Sequence, residues 1–459
     1  MHASRRSTAL RSRRAAVGMT AAACALLATG VTAPPATAAV SGEIIGTLAD
    51  GTAWRAVVPD DWNGTLLLYS HGYQPSFAGP RAPATVAPDP ATEQLLLERG
   101  YALVGSTYEA TGWAVPTAPG DQLDSLDAAI DQIGEQPDRV LAYGTSMGGL
   151  VTGILAESAG DVISGAMPTC GLMEGGVDLN NYQLDGSHAI NELLAPDQDI
   201  QIEGYADLGA AFGTAAALTA AVDAGQATPE GRARVALAAA LFHLPGTDTG
   251  DTAAWQDSMY TLLKQTLGFV TPGRFDIETA TGGNATWNVG VDYGKLFQQS
   301  EDRRRVAELY RAAGLDLKSD LALLTQTADT APDAGSVDTL DATSGLTGEL
   351  QMPVLTMHTT IDILAPVQVE QEYAEDVRSQ GESALLRQTF VEREGHCSFT
   401  PAEIAAGIDV LEDRVTSGHW GAEANSVPRL NALAASIDDS GSAFVTVPPR
   451  EFLGDREGK

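Results

Sequence analysis

Apolar residues along this chain fall into two periods. Thr65 to Ser70 is an unbroken apolar run ending at His71-Gly72-Tyr73, and 101–106, 139–143, 162–167 and 353–358 resemble it. Runs without alternation predict strands buried on both faces, as in a parallel sheet. Segments 42–48 and 53–58 read as shorter strands around the turn Asp50-Gly51, and 385–391 as a further strand. Between these runs the period lengthens. Asp89-Pro90 opens a helix that reaches Arg99 and stops at Gly100. Residues 121–133 place Leu123, Leu126, Ile130 and Ile133 on one stripe, with Gly134 at the end, and 150–158 continues the helical pattern. Strand–helix alternation predicts an α/β fold, a mostly parallel sheet with helices on both faces.

The alternation breaks between about 171 and 349. Helical patterns and loops fill that segment, the clearest being 301–313, with Val306, Leu309, Tyr310 and Ala313 on one face. Alternation resumes at 353. Thr400-Pro401-Ala402-Glu403 is a capping box with proline at the first helical position, and its helix ends at Gly418. The expected organisation is a core at 39–171 and 350–424, a helical cap inserted at 172–349 before the penultimate strand, and a C-terminal tail at 425–459. An insertion of that length is too long for a plain loop.

Residues 1–38 have a different character. Five arginines and no acids precede an apolar stretch and an Ala-Thr-Ala-Ala end. That is the layout of a signal peptide, general secretory or twin-arginine, and it predicts a secreted protein. Ala21-Ala22-Ala23 is a poor lipobox, which argues against a lipid anchor on Cys24. The chain carries 27 basic and 60 acidic residues, a net charge of −33. Losing five arginines makes it more negative still. Such a field repels nucleic acid and anionic membranes, so neither is an expected partner. Two cysteines remain after the leader, Cys170 and Cys397, each just past a strand at the carboxyl edge of the sheet. In an oxidising compartment they are a candidate disulfide.

Gly144-Thr145-Ser146-Met147-Gly148 is the one G-x-S-x-G in the chain. The bare pattern is weak in so glycine-rich a sequence. Its place between an apolar strand and an apolar helix makes it a candidate nucleophile elbow, with Ser146 exposed and the Met147 N–H donating to a developing oxyanion. The loop after the earlier strand supplies a second donor; Tyr73 N–H is the choice and Gly72 the alternative. His71 in that loop precedes the serine and reads as structural. A serine hydroxyl needs an imidazole to take its proton. Among later histidines, His188 and His243 fall in the insertion, His358 in a strand, and His419 after the last helix; His396 lies in the loop after the last strand. Asp362 follows the strand from Pro353 and is the candidate acid, with Glu174 and Asp178 competing. Trp255, Trp287 and Tyr293 either line a pocket or form the insertion's own core. No metal-ligand spacing such as H-E-x-x-H occurs, and no cofactor is expected.

These stretches, Tyr69 to Tyr73, Gly144 to Gly149, the loop to Asp362, and Gly395-His396-Cys397, resemble the α/β-hydrolase superfamily and, within it, secreted actinobacterial esterases and related peptidases. The resemblance covers about 42–170 and 350–420 and implies the fold and the order serine, acid, histidine. The His-Cys pair is also similar to that of tannases and feruloyl esterases, where the cysteine bridges to one just before the nucleophile; here Thr145 stands in that place. The expected activity is hydrolysis of a small-molecule or polymeric carboxylic ester through an acyl-enzyme. Peptide hydrolysis with the same triad, and a non-catalytic binding protein on this scaffold, are the alternatives.

Overall fold

The computed structural model describes residues 41–79, 81–246, 250–453 and 456; the expected signal peptide lies outside them. Among these residues nine strands form one sheet: β1 (Gly42–Thr47), β2 (Ala53–Val58), β3 (Thr65–Ser70), β4 (Ala102–Ser106), β5 (Arg139–Thr145), β6 (Gly165–Thr169), β7 (Val354–Ile361), β8 (Leu386–Glu394) and β9 (Phe444–Val445). Their order is β1-β2-β4-β3-β5-β6-β7-β8-β9. β4, β3, β5, β6, β7 and β8 run parallel, while β1, β2 and β9 pair antiparallel at the two edges. The β4-β3-β5 crossover, with antiparallel strands before it, is the α/β-hydrolase arrangement.

The parallel strands read as continuous apolar runs because both faces are covered. Leu66 and Leu68 of β3 point into one core cluster, Leu67 and Tyr69 into the other. The helices α1 (Pro90–Glu98), α2 (Ala118–Ile133) and α3 (Met147–Ser158) connect the first strands. Asp89 caps α1 by accepting from the Ala91 and Thr92 N–H groups, as its sequence position predicts. Among the described residues, eight helices separate β6 from β7: α4 (Gly175–Leu194), α5 (Leu208–Gln226), α6 (Pro229–Leu241), α7 (Thr252–Thr281), α8 (Tyr293–Gln299), α9 (Arg303–Ala313), α10 (Leu317–Thr327) and α11 (Ala334–Ser344). They share a hydrophobic cluster with the sheet: Leu184, Leu237 and Trp255 belong with Leu66 and Met147. After β7 come α12 (Val369–Gln380), α13 (Pro401–Ser417) and α14 (Val427–Ile437), and the capping box of α13 is formed in full.

Several boundaries differ from the sequence reading; β7 and β8 each run three residues further, to Ile361 and Glu394. α2 and α3 each begin three residues earlier, α3 directly after Ser146. The strand expected at 162–167 lies at Gly165–Thr169, because the Val162 and Ile163 N–H groups close a turn onto the Ala159 carbonyl. The tail is structured: it supplies α14 and β9, and then inserts among the extra helices. There the Leu453 N–H donates to His243 Nε2 at 2.9 Å. Burial drives the His243 pKa down to about 3, which keeps the ring neutral and able to accept.

Candidate active site

Ser146 occupies the turn between β5 and α3 at φ +60°, ψ −124°, a left-handed conformation that a non-glycine residue adopts only under constraint. The constraint is close packing. A Cβ on Gly144 would stand 2.3 Å from the Gly148 carbonyl oxygen, and one on Gly148 would stand 2.0 Å from that of Ser70. Only glycine fits at either place, which is why the motif needs both. The Ser146 N–H is held by the Thr169 carbonyl at 3.0 Å, and Thr145 bonds the Tyr69 hydroxyl at 2.9 Å.

The Ser146 Oγ lies 2.7 Å from His396 Nε2. On the other side of the ring, Nδ1 lies 2.9 and 2.8 Å from the two oxygens of Asp362. Asp362 is buried, and its Oδ1 also accepts from the Leu364 and Ala365 N–H groups at 2.9 and 3.0 Å. Burial alone would raise this carboxyl. The charge and hydrogen bond of His396, the charge of His358 and the backbone donor outweigh it and hold the pKa below the usual value. His358 sits in β7 behind Asp362, with Nδ1 3.0 Å from Glu370 and Nε2 2.9 Å from the Ala365 carbonyl. Burial opposes its charge, but Glu370 and Asp362 prevail and raise its pKa.

The competing acids are elsewhere. Glu174 precedes α4 with both oxygens buried and no hydrogen-bond partner among the described residues. Desolvation, together with the charges of Glu372, Asp178 and Asp362, pushes its pKa well up. Asp178 lies in the first turn of α4. His71 is buried, stacked on Tyr108 at 4.0 Å, and bonds the Gly72 carbonyl through Nδ1; burial lowers its pKa.

Met147 is the first residue of α3, so its N–H has no carbonyl within the helix to bind. Gly72 brings the neighbouring loop against the serine: a Cβ there would lie 3.3 Å from the Ser146 Cβ. Tyr73 follows it. The Tyr73 hydroxyl donates to Asp276 of α7, and the same carboxylate accepts from the Ser76 hydroxyl and, at 3.1 Å, from the Ser76 N–H. Sequence reasoning missed Asp276. It is two hundred residues from the loop it holds and belongs to no motif. Its one signal is a charged residue on the buried side of a long helix, and Arg274 and Glu278 beside it carry the same signal.

A narrow pocket of about 40 Å³ opens beside Ser146. Tyr73, Trp113, Met147 and Leu364 line it from the core side; Leu172, Leu179 and Gln183 lie at or near α4, and Phe269, Val270, Gly273 and Ile277 on α7. No lining residue is charged. Trp255 and Tyr293 are buried in the core of the insertion, and Trp287 lines a separate groove. Cys170 and Cys397 form a disulfide with a Cα separation of 5.3 Å. Together with His396 they bring three donor atoms within 4.8 Å of one another, but the bond occupies both sulfurs.

No known family profile matches the sequence. It is similar to an o-phthalyl amidase of Xanthobacter agilis, 29% identical over 432 residues that cover 85% of this chain and 91% of that protein. Among solved structures it is similar to an esterase of Pyrococcus furiosus, at TM-score 0.38 and 12% identity over 82% of this chain and 91% of that one. A feruloyl esterase B from Aspergillus oryzae aligns at TM-score 0.40 and 10% identity, over 82% of this chain and 80% of that one.

Proposed function

We propose that this protein is a serine hydrolase that cleaves small aromatic carboxylic esters and amides through an acyl-enzyme. One observation carries the reading. A serine held at φ +60° meets a histidine at 2.7 Å, and that histidine is gripped by a buried carboxylate at 2.8 Å. Ser146 Oγ attacks the carbonyl carbon while His396 Nε2 takes its proton. Asp362 fixes the ring with Nδ1 protonated and stabilises the cation that forms. The oxyanion is received by the N–H groups of Met147 and Tyr73. His396 then delivers the proton to the departing alcohol or amine. Water, activated by the same nitrogen, releases the acid and restores Ser146.

The aromatic acyl group follows from the pocket, whose wall includes Tyr73, Trp113 and Phe269. Similarity to an amidase supports extending the reading from esters to amides. An aminopeptidase would need a carboxylate near Ser146 to hold a substrate ammonium group, and the lining residues offer none. The helices between β6 and β7 act as the cap, since α4 and α7 wall the pocket. The test is a panel of p-nitrophenyl esters and matching p-nitroanilides of benzoic, 2-carboxybenzoic and acetic acids, beside aminoacyl and prolyl p-nitroanilides. Preference for the aromatic acids supports the reading. Activity on aminoacyl or prolyl substrates alone, or turnover unchanged in Ser146→Ala, overturns it.

A further inference from the structure

Three phenylalanines are exposed on elements around the pocket, and of them Phe269 is a lining residue. Phe77, Phe212 and Phe269 are 42%, 41% and 38% exposed, and among the described residues they are the only aromatic side chains in the set of exposed large hydrophobics. They come from three separate elements, the loop after β3, α5 and α7. Phe77 and Phe212 meet edge to face at 5.0 Å, and Tyr73, in the same loop as Phe77, meets Phe269 edge to face at 5.4 Å. A hydrogen bond from Thr271 Oγ1 to the Ala211 carbonyl, 3.0 Å, ties α7 to α5 beside both of their rings. Phe269 and Tyr73 also line the pocket at Ser146, so the exposed rings continue its wall outward.

We propose that Phe77 and Phe212, continuing from Phe269, form an aromatic subsite for the leaving-group side of the substrate, and that it selects leaving groups bearing an apolar ring. The proposal rests on acyl transfer at Ser146. With the acyl group in the narrow pocket, the other side of the scissile bond extends toward the mouth, where these rings stand. Exposed aromatic rings from distant segments gathered at one place mark a binding surface rather than scattered surface residues. Edge-to-face packing leaves ring faces open to stack on a further ring. Phe212 also stands out on its helix, where its exposed neighbours Gly213 and Ala216 give it clearance. The occupant is therefore an apolar ring of the substrate itself. A lipid surface is the rival, because α5 is long and apolar enough to cross a membrane by length and composition alone.

The test compares two benzoate esters whose alcohols have similar basicity, 2-phenylethyl and ethyl, in the wild-type chain and in the Phe77→Ala, Phe212→Ala and double variants. The reading is the ratio of kcat/KM for the two esters, which does not depend on how much of a variant is folded. The double variant should lower the 2-phenylethyl preference by ~10-fold, mostly through KM, as expected for uncovering one ring. An unchanged ratio overturns the proposal. So does a loss that follows the acyl ring, measured with phenylacetyl and acetyl esters of one alcohol, or one confined to esters presented in phosphatidylcholine vesicles. Failure of the parent reading looks different: both esters would then be turned over by Ser146→Ala.

Discussion

Replacing Asp276 with alanine removes a carboxylate that holds Tyr73 and Ser76 by three hydrogen bonds across the interface between loop and helix. Hydrogen bonds to a charged group contribute ~1.5–3 kcal/mol each, and Ser76 is exposed enough to rebind water. A stability loss of ~2–4 kcal/mol follows. The catalytic effect acts through Tyr73. Complete loss of one oxyanion donor costs ~10²–10³ in kcat. A donor loosened but still present should cost ~10–10²-fold. Asp276→Asn is the informative partner. Its amide oxygen can accept from Tyr73 and the Ser76 N–H, while its NH₂ donates to the Ser76 hydroxyl, so all three contacts survive without the charge. The asparagine variant should keep activity within a few-fold of wild type. The assay is kcat and KM on p-nitrophenyl benzoate well below each variant's Tm, with the inhibition constant of phenylboronic acid as a measure of oxyanion binding. If Asp276→Ala keeps full kcat while folded, or if asparagine is as damaging as alanine, the positioning argument fails.

Further outcomes are expected for the triad, the buried acids and the disulfide. Ser146→Ala and His396→Ala should each lower kcat by at least ~10³-fold with the fold retained by circular dichroism, and a fluorophosphonate should label Ser146. Asp362→Asn should cost as heavily, whereas Glu174→Gln should leave kcat within a few-fold; the reverse pattern would move the acid to Glu174. The Asp362 carboxyl is held below its ordinary value of 3.8, so its stabilising contribution is present above that pH and lost as pH falls through the lower folded value. Glu174 has the opposite sign. Its folded pKa lies above 4.5, so ionisation opposes folding as pH rises past that point, and Glu174→Gln should raise Tm at pH 7 but not at pH 4. Finally, reducing Cys170–Cys397 should lower activity before the protein unfolds, because the bond anchors the residue after His396. The double serine variant should lose up to ~5 kcal/mol on the chain-entropy model, checked by denaturant titration, and an unchanged midpoint would refute it.

What was legible in the sequence follows from how local each signal is. The strand-to-helix position of Ser146 is written in Gly144 to Gly148 and the apolar runs on either side; Gly144 is needed by a backbone contact within that turn, Gly148 by the adjacent end of β3. Asp362 and His396 were legible as candidates by their places after β7 and β8, since the sheet sets where loop residues emerge. Cys170 and Cys397 were legible as a pair because the other cysteine, Cys24, lies in the leader segment. Asp276 was not, because its partners are set by how α7 packs, and packing leaves no periodic trace. The apolar pair Val162-Ile163 misplaced β6: the residues are apolar, but Ile163 is buried from a turn and Val162 is exposed. α12 carries Val369, Tyr373 and Val377 on one buried stripe, a helical period hidden by the charged residues between them.

The disulfide bypasses the insertion. It joins the end of β6 to the loop after β8 across 227 residues, so the chain from α4 to β8, with two strands of the sheet in it, is a covalently closed loop. A protease cut anywhere inside that loop would leave the serine-bearing and histidine-bearing pieces one molecule. A nick among the eight helices therefore leaves Ser146 and His396 within a fixed tether of each other.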